Sequence, residues 1–163
     1  MVFGLTPYTA FHVLISLIGI GSGFPVLLGM RNAQPMNGWT GVFLATTVAT
    51  SVTGFFFPFH GFTPALAVGI LSMALLAAAI AARYRFHFAG SWRWTYAVSA
   101  TSALYLNVFV LVVQSFLKVP ALHRLAPNGS EPPFAAAQGL VLFFLVVFGY
   151  RAVKGFHPPT RGA

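Results

Sequence analysis

Chemistry in this sequence has few residues to work with: five histidines, a single carboxylate at Glu131 and no cysteine among 163 residues. His12, Ser16, Gly19 and Gly23 follow one another at steps of four, three and four, which places them on one face of a helix. Gly19 and Gly23 form a GxxxG pair, a pattern that lets another helix backbone approach closely inside a membrane. That face is expected to point inward and to carry His12 with it. Neutral imidazole is a common ligand for metals and haem. His12, His60 and His123 fall at one end of the apolar runs, so they are the candidate ligands of a haem b, with His12 and His60 the proposed pair. No tight HxxxH or HExxH spacing supports them, and each also reads as an ordinary polar residue of a span or interface.

Asn107, Gln114 and Lys118 stand at steps of seven and four, again on one helix face. Side-chain amides at membrane depth must find hydrogen bonds, so these are expected either to glue helices together or to line a small cavity for a quinone headgroup. Lys118 also has the length to snorkel outward. Glu131 lies at the same end, in "APNGSEPPF". It reads as a helix cap, with Ser130 or Glu131 accepting from free backbone N–H groups, or as a carboxylate of that pocket. The run "TTVATSVTG" sets Thr46, Thr50 and Thr53 on one face and Thr47, Ser51 and Gly54 on the next, a surface suited to close helix packing.

Several chemistries are excluded. There is no Asp to orient a histidine, no GxSxG elbow and no Gly-rich phosphate loop, so hydrolase and nucleotide-binding arrangements fail. Paired-carboxylate catalysis needs a second acid. No carboxylate lies within an apolar run, which argues against a proton-coupled carrier.

The elements that hold these residues are apolar. Hydrophobic residues make up 58% and charged residues 6% of the chain, against about a quarter charged in a soluble domain. Apolar runs of about twenty residues are long enough to cross a hydrocarbon core as helices. The fold class is therefore an all-α integral membrane bundle forming one domain over residues 1–163. Five spans are expected, at about 8–30, 38–58, 62–83, 94–117 and 133–153, with four as the alternative if one helix lies flat or is re-entrant. The opening stretch has no Lys or Arg before Arg31, so it reads as a retained span rather than a cleaved leader.

Basic residues alternate sides. Arg31, Arg83, Arg85, Arg93, Arg151, Lys154 and Arg161 fall on one side, and Lys118 and Arg124 on the other, which puts the N-terminus outside and the C-terminus in the cytoplasm. The net charge of +8 is scattered between apolar runs rather than gathered on a solvated face, so nucleic acid is not an expected partner.

The stretches "WTGVFLATTVATSVTGFFFPF", "ALYLNVFVLVVQSFLKVPALHRLAP" and "SEPPF" resemble a group of small uncharacterised proteobacterial inner-membrane proteins. The likeness covers most of residues 8–155 and implies a bacterial cytoplasmic membrane, but it transfers no activity. The usual multi-helix cytochromes b share no motif with the chain. The function put first is accordingly a non-catalytic multi-pass membrane protein, an accessory subunit that packs against other membrane subunits in the lipid bilayer. A haem-b or quinone-associated electron-transfer protein is the alternative, and a small channel or carrier comes third.

Overall fold

The computed structural model describes residues 6–58, 61 and 63–158. His60 and Arg161 lie outside the described residues. Within them the chain is helical and forms no strand.

Helix α1 spans Pro7–Arg31, α2 Asn37–Gly54, α3 Pro64–Ile80, α4 Trp92–Lys118, α5 Pro120–His123 and α6 Pro132–Gly155. A π-helical turn, Ala81–Arg85, extends α3. Helices α1 and α3 start alike. Thr6 and Thr63 accept from the backbone N–H of Thr9 and Leu66, each at 3.2 Å, and the following prolines fit the first turn, where an N–H would be free anyway. Pro120 stops α4, because it cannot extend the hydrogen-bond ladder and biases Val119 to extended backbone.

Four segments are long and apolar enough to cross a membrane: Pro7–Arg31, Pro64–Arg85, Trp92–Lys118 and Pro132–Gly155, with mean hydropathies of 2.1, 2.4, 1.8 and 1.9. Helix α2 is shorter, at 18 residues, and carries five threonines and a serine. It ends at Gly54 rather than at the expected residue 58. The chain there turns through Phe55 and Phe56 before Pro58, whose ring disfavours helical geometry in the residue ahead of it.

The long helices close a ring: α1 packs on α2, α2 on α3, α3 on α4, α4 on α6 and α6 on α1, while α1 also meets α4 across the middle. The core between them is filled by Val26, Met30, Phe43, Leu76, Tyr96, Leu104 and Phe156, all buried. Gly23 makes the close approach of α1 feasible. A Cβ there would lie 2.7 Å from Leu104 Cδ1 and 3.2 Å from Phe43 Cδ2, so the side chains of α4 and α2 pack directly on the α1 backbone.

Glu131 corrects an expectation. It occupies the N-cap position of α6, yet its carboxylate turns upstream: Oε1 accepts from Asn128 N at 3.0 Å and Asn128 Nδ2 at 2.9 Å, and Oε2 from Ser130 N at 3.0 Å. Pro132 and Pro133 carry no N–H, which removes donors a cap would serve. The carboxylate closes its own turn instead. Those N–H groups, Asn128 N foremost, hold its pKa below the usual carboxylate value.

Candidate functional site

The residues singled out on α1 and α2 meet along one polar seam. Near its end, Tyr8 donates through its hydroxyl to Thr53 O at 2.5 Å. His12 Nδ1 lies 2.8 Å from Thr53 Oγ1. The Thr53 hydroxyl has one hydrogen, and Ala49 O stands 2.7 Å away to take it. Thr53 Oγ1 therefore accepts from His12 Nδ1–H. This network puts a proton on His12 Nδ1; in the neutral imidazole the lone pair then lies on Nε2. Phe57 packs edge-on against the ring at 5.0 Å, and Gly54 lies beside it, where a Cβ would make an ordinary contact at 3.7 Å from His12 Cε1.

One turn deeper, Ser16 Oγ donates to His12 O at 2.8 Å and sits 3.4 Å from Thr50 Oγ1. Another turn on, three helices converge at Gly19. A Cβ on Gly19 would stand 3.1 Å from Thr47 Oγ1, 3.2 Å from Thr46 Oγ1 and 3.3 Å from Asn107 Nδ2. The Thr46 hydroxyl is satisfied by Val42 O at 2.7 Å. Thr47 Oγ1 and Asn107 Nδ2 are buried without a hydrogen-bond partner among the described residues. Each such orphan costs about 1–3 kcal/mol.

The seam is thus a ladder of hydroxyl, amide and imidazole groups, and His12 is its one titratable group apart from the Tyr8 phenol. It joins helices and leaves no porphyrin-sized space at Gly19.

The other expected residues are dispersed. Asn107 joins the seam from α4, but Gln114 and Lys118, further along the same helix, are exposed. His123 is exposed on α5, which packs on α4, whereas His12 is held between α1 and α2. No group of three His, Cys, Asp or Glu suited to a metal ion occurs among the described residues.

Two apolar grooves flank α6. The larger, of about 350 Å³, runs between α4 and α6 and is lined by Val98, Thr101, Ser102, Tyr105, Gly149 and Val153 among others. The second, of about 290 Å³, is lined by Phe24, Val108, Leu140, Phe144, Leu145 and their neighbours. Neither is lined by Asn107, Gln114, Lys118 or Glu131.

Sequence reasoning missed Tyr8 and Phe57, which complete the surroundings of His12. It also missed Gln138, whose Nε2 donates to Phe109 O at 3.2 Å while its Oε1 stays buried and unpartnered. Gln138 was findable as an amide within an apolar run; the contacts of Tyr8 and Phe57 carry no pattern in the sequence.

No protein-family model, curated protein or solved structure matches the chain.

Proposed function

We propose that the chain is a non-catalytic multi-pass protein of a bacterial cytoplasmic membrane and an accessory subunit of a larger membrane complex. The observation that carries this reading is the face of α6. Only Leu145, Gly149 and Ala152 of its 24 residues are buried, and the groove beside it is lined by Thr101, Ser102 and Gly149 among larger apolar side chains. Lipid tails are as apolar as Leu, so helices associate in membranes through close packing at small residues. An apolar groove that includes such residues suits a partner's transmembrane helix.

In this reading α2 is a fifth span, packed between α1 and α3 with Trp39, Val42 and Val52 turned outward. Arg31, Arg83, Arg85, Arg93, Arg151 and Lys154 face the cytoplasm, which sets the N-terminus outside. The seam at Gly19 is the joint that keeps α1, α2 and α4 in register while α6 faces outward.

The reading is tested by gentle solubilisation from the native membrane, with a gel of whatever accompanies the chain. A companion in constant ratio that is lost when Ser102→Phe fills the groove supports it. A lone monomer counts against it.

A redox reading has one observation in its favour. Metal-ligating histidines generally donate their second ring N–H to a fixed acceptor, as His12 does to Thr53, leaving Nε2 as a lone pair for haem iron. A Soret band in the purified protein that vanishes in His12→Ala would support it, and a colourless preparation would remove it.

A further inference from the structure

The end of the bundle away from His12 holds a buried cation. Arg83, in the π-helical turn that ends α3, is 8% exposed and is the one buried charged residue among those described. Its Nη2 donates to Asn37 Oδ1 at 2.5 Å and its Nη1 reaches Pro35 O at 3.4 Å. The rings of Tyr84 and Phe88 lie 5.5 Å from the guanidinium carbon, and that of Tyr96 5.9 Å. Neutral acceptors and aromatic faces lower the cost of burying the charge, but they do not cancel it. The chain's single carboxylate is closing its own turn at the far end of the bundle. Meanwhile Arg31, Arg85, Arg93, Arg151 and Lys154 gather at the near end and strengthen the positive field.

The surroundings are built rather than incidental. The loop after α1 carries Ala33 and Met36 at φ 56° and 42°, and the loop after α3 carries His87 and Phe88 at 48° and 63°. Non-glycine residues in this left-handed region are strained, and such strain gathers at ligand clamps and other functional sites. Here it turns the Phe88 ring onto Arg83, Tyr96 and Phe156. The exposed rings of Trp39, Tyr84 and Trp94 mark this level of the bundle as the depth of lipid headgroups.

We propose that Arg83 is a binding site for the phosphate of an anionic phospholipid headgroup. A guanidinium has five N–H donors in a planar fork suited to phosphate oxygens, and two contacts to Asn37 and Pro35 leave donors to spare. The bound phosphate supplies the counter-charge that the chain lacks. A soluble phosphate offers the same oxygens, and the aromatic belt is what favours the lipid.

The test uses the full chain in mild detergent, with phosphatidylglycerol, phosphatidylcholine or inorganic phosphate added in turn. Thermal unfolding and native mass spectrometry are the readouts. One phosphatidylglycerol should be retained per chain, and it should raise the unfolding midpoint where phosphatidylcholine does not. The rise should be lost in Arg83→Gln, reduced by more than half in Arg83→Lys and kept in Arg85→Gln. An equal rise in Arg83→Gln and wild type would overturn the site, and the full rise from inorganic phosphate alone would overturn the lipid assignment. Should Arg83→Gln fail to fold, the wild type decides by itself: no phosphatidylglycerol retained on it would overturn the proposal.

Discussion

His12 Nδ1 and Thr53 Oγ1 stand 2.8 Å apart, joining the first turns of α1 to the last turn of α2 across 41 residues of sequence. The contact fixes both the tautomer of the imidazole and the level at which the two helices pair. Below it, Ser16 and Gly19 meet Thr50, Thr46 and Thr47 turn by turn, so the register set at His12 runs into the bundle.

Thr53→Val keeps the shape of the side chain and removes the acceptor, leaving His12 Nδ1–H unpartnered. The loss of stability should be about 0.5–2 kcal/mol, the range for interhelical hydrogen bonds in membranes. A double-mutant cycle with His12→Phe, followed by unfolding in detergent, should return a coupling of similar size. Additivity would show that the pair does not interact.

Glycine substitutions along the seam should rank by the space at each. Gly23→Ala drives a Cβ to 2.7 Å from the fully buried Leu104 and should be the most costly, at about 1–3 kcal/mol. Gly19→Ala meets two hydroxyls and an amide at 3.1–3.3 Å and should cost less. Gly54→Ala meets only His12 Cε1 at 3.7 Å, and alanine's better helix propensity should make it neutral or stabilising by up to about 1 kcal/mol. Unfolding midpoints of the three variants check the order.

Glu131 predicts a pH dependence of known sign. Its folded pKa lies below the ordinary carboxylate value because the Asn128 and Ser130 N–H groups favour the anion. The stability contributed by the turn is therefore complete above the unfolded pKa and is lost as pH falls through the folded one. Glu131→Gln should unfold below the wild type at neutral pH and converge with it in acid. A difference that stays constant with pH would show that the carboxylate's charge is not what holds the turn.

The helices were readable because each apolar run is long and its limits carry Pro, Gly or charge, as at Thr6–Pro7 and Thr63–Pro64. The shared face of His12, Ser16 and Gly19 was readable from their steps along one helix. What met that face was not: Asn107 reaches Gly19 through the crossing of α1 and α4, a tertiary relation that no local spacing encodes. Gln114 and Lys118 share Asn107's face in sequence but lie beyond that crossing, where this face of α4 is exposed. Arg83 entered as one loop cation among several. Its burial depends on Phe88 and Tyr96 arriving from the next loop and helix.

The central claim, that the groove between α4 and α6 seats a partner's helix, is tested most directly by site-specific photocrosslinking in native membranes. The crosslinker replaces Ser102 in the groove and, as a lipid-facing control, Leu71 on α3, which is 51% exposed. One discrete protein adduct from position 102 and none from 71 is the expected result. Lipid adducts alone from position 102, or the same protein adducts from both positions, would contradict it.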